Sequence, residues 1–141
     1  MSARGAGTLK SAVTEAGGLK PIGPYSPAQV VHLAGGERLV FASGAVAIDP
    51  ASGELKGADT GAQTEQTLAN LAAILQGAGV GLGDVVKTTV YLADMKDFQE
   101  MNQVYARFFP DSPPARTTIA AAGLPRGARV EIDAVAVGRD H

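Results

Sequence analysis

Arg116 and Glu131 are the residues of this chain whose types and settings best suit chemistry on a small molecule. Arg116 follows two prolines in the run Ser112-Pro113-Pro114-Ala115-Arg116-Thr117-Thr118. The prolines stiffen the approach and favour extended backbone. A planar, always-charged guanidinium thus stands at the mouth of a strand, where it can grip a carboxylate through two parallel hydrogen bonds. Glu131 lies in Arg129-Val130-Glu131-Ile132-Asp133-Ala134-Val135, whose alternation of apolar and polar residues turns it away from the core. A carboxylate-gripping arginine beside a free carboxylate outlines a small-molecule site. The residues alone leave Arg116 open between that role and a solvated ion-pair partner, a common fate of loop arginines.

Other chemistries find less support. Glu131 and Asp133 share one strand face roughly 7 Å apart, but glycosidases draw their two acids from separate elements and usually stack sugars on aromatics. This chain has no tryptophan. Lys87, on the polar face of a strand, reads either as a Schiff-base amine or as the partner of Glu131 or Asp133. There is no cysteine, which excludes disulfides, thiolate catalysis and cysteine-built zinc sites and fits a reducing, cytoplasmic setting. His32 and His141 have no second ligand type at a metal spacing. A nucleophile–base triad is therefore disfavoured, and neither metal nor organic cofactor is expected. The glycine-rich run from Gly77 to Gly83 follows a helix and lacks the lysine and Ser/Thr of a phosphate loop.

Composition narrows the partners. A net charge of −2 and a pI of about 5.6 offer no basic patch for nucleic acid or anionic membrane. No apolar stretch approaches the roughly 20 residues of a membrane span. Met1 to Val13 carries Arg4 and Lys10 without an apolar segment between them, so a secretory signal is not expected. It matches a mitochondrial leader poorly, and residues 1–19 read as an N-terminal extension with a frayed end.

At 141 residues, with no repeat or linker, the chain reads as one domain over 20–141. Gln29 to Leu33, Arg38 to Ser43 and Ala45 to Ile48 are short and rich in β-branched residues, the first two separated by the Gly35-Gly36 turn. Thr60 to Gln76 reads as a helix, with Thr60 and Gln63 as a capping box and Leu68, Leu71, Ala72 and Leu75 as its buried stripe. Val85 to Leu92 is a strand with Val86, Thr88, Val90 and Leu92 on one face and Val85, Lys87, Thr89 and Tyr91 on the other. Asp97 and Glu100 open a second helix with Phe98, Met101, Tyr105 and Phe108 on its apolar face, and Pro110 ends it. Thr117 to Ala122 and Arg129 to Val137 are the last strands. This order predicts an α+β fold, a single sheet with two helices packed on one face. The other face, mixing Val85, Tyr91 and Val135 with Lys87, Glu131 and Asp133, is a natural subunit interface.

Several runs, taken in order, resemble the reactive intermediate deaminase (Rid, YjgF-like) family. They are Pro21-Ile22-Gly23-Pro24-Tyr25-Ser26, Val40-Phe41-Ala42-Ser43-Gly44, Gln63 to Leu71, and Asp84 to Leu92. Asn102 with Tyr105, Phe108 and Phe109 follows, then Pro114-Ala115-Arg116, and Leu124-Pro125 through Val130-Glu131-Ile132. The similarity spans about residues 20 to 137. It implies a mixed, chorismate-mutase-like sheet and a homotrimer with clefts between subunits. It also implies cofactor-free hydrolysis of enamine and imine acids such as 2-aminoacrylate and 2-iminopropanoate. By the matching positions, Arg116 would hold the substrate carboxylate and Glu131 would orient or activate water. Tyr25 and Ser43 would line the cleft, and Asn102 and the backbone of Thr118 would add polar contacts. Ala45 stands where many members carry glutamine, which bears on the pocket wall and substrate range, and Thr118 stands where some carry cysteine. Two alternatives remain beside this one: a specialised deaminase of an aminomuconate-like catabolic intermediate, and a non-enzymatic protein that binds small carboxylates. A ribonuclease, known for some members, fits worst, given the acidic balance and the absence of catalytic histidines.

Overall fold

The structure, a computed structural model, describes residues 9–14 and 16–140. Its strands are β1 (Lys10–Val13), β2 (Ala28–His32), β3 (Glu37–Ala45), β4 (Val85–Leu92), β5 (Ala115–Ala120) and β6 (Val130–Arg139). Helix α1 (Thr60–Gly77) joins β3 to β4, and α2 (Phe98–Phe108) joins β4 to β5. The strands form one mixed sheet in the order β1-β2-β3-β6-β4-β5. Every neighbouring pair is antiparallel except β4 and β5. That parallel pair requires a crossover, which α2 supplies.

The helices cover one face, as the order of elements predicts. Leu68, Leu71, Ile74 and Leu75 of α1 and Met101 and Tyr105 of α2 are buried in one core with Val40, Val90, Val130, Ile132, Ala134 and Ala136 of the sheet. Because side chains alternate along β6, those buried residues hold Glu131, Asp133, Val135 and Val137 on the opposite face. Among the described residues nothing covers that face: Phe41 and Val137 are 46% and 41% exposed.

Four expectations need correction. Lys10–Val13, assigned to an N-terminal extension with a frayed end, form the edge strand β1, with Val13 buried; Arg4 and His141 lie outside the described residues. The strand expected over Ala45–Ile48 does not form: β3 runs through an irregularity between Ala42 and Ala45 and ends at Ala45, and Ile48 makes only an isolated antiparallel bridge to Leu55. The cap of α1 is Asp59, whose Oδ1 accepts from the Ala62 N–H at 2.8 Å. Gln63 is engaged elsewhere, accepting from the Arg129 N–H at 2.9 Å and donating to the Gly57 carbonyl at 3.2 Å. Finally, a bulge between Val85 and Lys87 exchanges two valines: Val85 is buried and Val86 is 46% exposed. One extra residue reverses the alternation for everything before it.

Glu100, expected only to open α2, has a longer reach. Its Oε2 accepts from the Gly61 N–H at 2.7 Å, so α2 satisfies an orphan donor at the N-terminus of α1 and ties the helices together.

Candidate functional site

Glu131 sits directly opposite Tyr91 in the β4–β6 pairing, half-buried on the uncovered face. The irregular end of β3 makes room for it. A Cβ added at Gly44 would fall 1.9 Å from Glu131 Oε2, so the carboxylate lies flat against a residue that must have no side chain. Burial raises the Glu131 pKa above the ordinary carboxylate value, and the like charge of Asp133 adds to it. Asp133 in turn accepts from the Tyr91 hydroxyl at 2.9 Å, a bond that with burial raises the Tyr91 pKa. Lys87, weighed as a partner for these acids, stands opposite Val135 and Ala115 and forms no ion pair among the described residues.

Ser43 and Tyr25 belong to the same end of the sheet. Ser43 Oγ donates to the Ser26 carbonyl at 2.7 Å, fastening the Tyr25 loop to β3. The Tyr25 hydroxyl accepts from the Ile22 N–H at 3.4 Å, and the ring is 46% exposed. Tyr25, Ser43 and Gly44 all line a cavity of about 270 Å³ that continues past Ala45 and Ile48 to Arg126.

Arg116 faces the other way. It is paired with Thr88, which is fully buried beneath α2. Its guanidinium carbon lies 4.7 Å from the centre of the Tyr105 ring and 5.5 Å from that of Phe98. Two aromatic faces therefore hold the cation, at roughly 0.5–2 kcal/mol each depending on desolvation. Tyr105 is itself fixed by a 2.7 Å hydrogen bond with Thr88 Oγ1 and by the Phe109 ring 4.7 Å away. Among the described residues no acid pairs with Arg116. A fork of donors carried on aromatic rings, without an acid of its own, is equipped to take an anionic ligand.

Asn102 lies one turn from both Phe98 and Tyr105 on α2, at the i+4 and i−3 positions that share a helix face. Thr118, two residues beyond Arg116, shares its face of β5, and its buried Oγ1 has no hydrogen-bond partner among the described residues. The expected site residues thus fall into two groups. Arg116, Asn102 and Thr118 gather on the helix side of the edge strand, while Glu131, Tyr25 and Ser43 gather around the end of β3. The structure does not bring Arg116 beside Glu131 within one chain. Their partners on β4, Thr88 and Tyr91, are three residues apart and point to opposite faces.

Two contributions escaped the sequence reading. Phe98 and Tyr105 read as core residues of α2, and their spacing carries the cradle as readily as a core stripe. Gly44 was visible only as part of a motif; nothing local announces that Glu131, far along the chain, needs its missing side chain. His32 keeps a structural place, its Nε2 at 2.8 Å from Ser11 Oγ. No group of three His, Cys, Asp or Glu stands together among the described residues, and no helix is long and apolar enough to cross a membrane.

A family model described as Endoribonuclease L-PSP matches residues 16–138. A mouse protein named 2-iminobutanoate/2-iminopropanoate deaminase is 47% identical over 116 residues, 82% of each chain. The solved structure of the YjgF gene product from E. coli superposes with a TM-score of 0.81 at 36% identity, covering 92% of this chain and 99% of that one. E. coli TdcF, solved with bound serine, gives a TM-score of 0.75 at 33% identity, covering 92% and 98%.

Proposed function

The chain belongs to the Rid (YjgF-like) family, and from that premise we propose that it hydrolyses reactive enamine and imine acids of the 2-aminoacrylate/2-iminopropanoate type. The reaction adds water across C=N and releases ammonia, leaving a 2-oxo acid. Arg116 holds the substrate carboxylate through its paired donors. Glu131 takes a proton from the attacking water as its oxygen bonds to C2. The nitrogen is protonated and leaves, and the C2–O bond becomes the new carbonyl. An imine conjugated to a carboxylate is already electrophilic, so positioning and one proton-transfer group are sufficient, and the reading needs no cofactor. The relatives named as iminobutanoate/iminopropanoate deaminases support the substrate class.

The observation that carries this reading is the Arg116 guanidinium, held by Phe98 and Tyr105 and paired with no acid among the described residues. Because Arg116 and Glu131 face opposite sides of one sheet, the reading places the working site between copies, with Arg116 of one completing the Glu131 group of another. A homotrimer that buries the uncovered face fulfils that requirement. Ammonia release from imino acids generated in situ tests the activity, measured against the uncatalysed rate. Sedimentation tests the assembly: full activity in a monomer would refute the shared cleft. Binding of 2-oxo acids without faster ammonia release would make this a binding protein instead.

A further inference from the structure

Thr88 is a polar residue in the apolar layer between the sheet and α2. It is fully buried, and the next core-side residues along β4 are Val90 and Leu92. A valine has nearly the same branched shape, so the hydroxyl is what sets this position apart. That hydroxyl is spent on one contact, the 2.7 Å hydrogen bond with the Tyr105 hydroxyl. A buried hydroxyl pair adds little net stability, because both groups leave water to make it. Its larger effect is on geometry. The bond pins the far end of the Tyr105 ring, while α2 holds the near end and Phe109 stands 4.7 Å from its centre.

The register joins this pair to Arg116. Thr88 and Arg116 stand opposite each other in the parallel β4–β5 pairing, on the helix side of the sheet. The ring that Thr88 pins lies 4.7 Å from the guanidinium carbon, closer than Phe98 at 5.5 Å. Phe98 has no polar atom by which it could be anchored in the same way. Three elements thus close on one another: β4 on α2 by a hydrogen bond, α2 on β5 by the ring, and β5 on β4 by the sheet.

Tyr105 also stays neutral beside the cation. Burial raises its pKa above the ordinary tyrosine value, although Thr88 and Arg116 both oppose the rise. A neutral ring attracts the guanidinium through its face and leaves the donors at the edge for a ligand. A tyrosinate would claim those donors for itself.

On the deaminase reading above, we infer that Tyr105 is a positioning residue for Arg116, and that the Thr88 hydroxyl is the anchor through which it acts. The buried hydrogen bond fixes the ring, and the ring fixes where the guanidinium presents its paired donors to the substrate carboxylate. Misplacing a holding group by about 1 Å can cost on the order of 10²-fold in rate. A bond that matters little to folding therefore matters to the reaction.

The test uses ammonia release from 2-iminopropanoate made in situ, with calorimetric titration of pyruvate to read Arg116 without turnover. Tyr105→Phe keeps the ring and Thr88→Val keeps the shape; each should lower kcat/KM roughly tenfold and weaken pyruvate binding. The double variant should be no worse than either single one, because both remove the same bond. Thr88→Ser, which restores the hydroxyl, should recover most of the loss. In an Arg116→Lys background, Tyr105→Phe should change kcat/KM by less than about twofold. Wild-type kcat/KM in Tyr105→Phe and Thr88→Val would overturn the inference and leave the deaminase reading standing. So would losses that persist in full in the Arg116→Lys background, or that appear only as a lower melting temperature. No acceleration of the imine by the wild type, with pyruvate binding weakened in Tyr105→Phe and recovered in Thr88→Ser, would overturn the deaminase reading and leave the positioning role standing.

Discussion

The Arg116 and Glu131 regions handle charge in opposite ways. Arg116 is on an edge strand, and its charge is permanent. Aromatic faces of α2 hold its position, and among the described residues no acid pairs with it. Glu131 is on the strand between β3 and β4, and its charge is conditional. Burial and Asp133 both raise its pKa, and Gly44 lets its carboxylate lie close to the backbone. A substrate-holding group benefits from a charge that never changes, and a proton-accepting group from one that can. The sheet separates the two within a chain; in the proposed shared cleft, the Arg116 guanidinium of another copy would favour ionisation of Glu131 and offset part of that rise.

The largest break in this contrast should come from Glu131→Gln. Glutamine keeps the shape but cannot take a proton, and turnover should fall by about 10²- to 10⁴-fold. Folding should survive. Because the folded-state pKa is raised, the folded chain holds the Glu131 proton more tightly than the unfolded one. Ionisation therefore removes stability as pH rises from the unfolded value through the folded one. The variant's melting temperature at neutral pH should equal or slightly exceed that of the wild type. A lower melting temperature, with kcat per intact oligomer unchanged, would make Glu131 an interface residue instead.

Arg116→Lys tests the other side. Lysine keeps the charge but loses the paired hydrogen bonds and the flat stacking surface. A loss of about 2–3 kcal/mol corresponds to roughly 30- to 150-fold in kcat/KM. Unchanged kinetics would remove Arg116 from the site.

Gly44→Ala isolates geometry from charge. The new methyl meets the flexible end of Glu131, so the chain should fold while the carboxylate is displaced. Activity should drop roughly 10- to 100-fold with little change in melting temperature. Wild-type kinetics would mean that the carboxylate has no fixed working position.

The smallest effect expected is in the pH profile. On the proposed mechanism activity needs ionised Glu131, so kcat/KM should fall along an acid limb set by that carboxylate. Asp133→Asn removes the like charge but leaves the larger effect of burial. The limb in kcat/KM should move part of the way down in pH. A limb unmoved or shifted upward would show that Asp133 does not act on Glu131.

Some of this molecule follows from the chain alone. Val130, Ile132, Ala134 and Ala136 alternate so regularly that Glu131 had to face away from the core, whatever the neighbours, because a strand's side chains repeat every two residues. The two helices, their order among the strands and the uncovered face followed from the same periodicities. The side on which Arg116 lies had no such signal, since Arg116-Thr117-Thr118-Ile119 on an edge strand alternates too weakly. Its parallel register with β4 and the packing of α2 decided it. Likewise, the bulge exchanged Val85 and Val86, and Asp59 capped α1 in place of Thr60, which the core had buried. Local sequence determines which face a regularly alternating strand buries. Bulges, edge registers and the room beside Gly44 depend on residues distant in the chain, and only their assembly in the tertiary structure settled them.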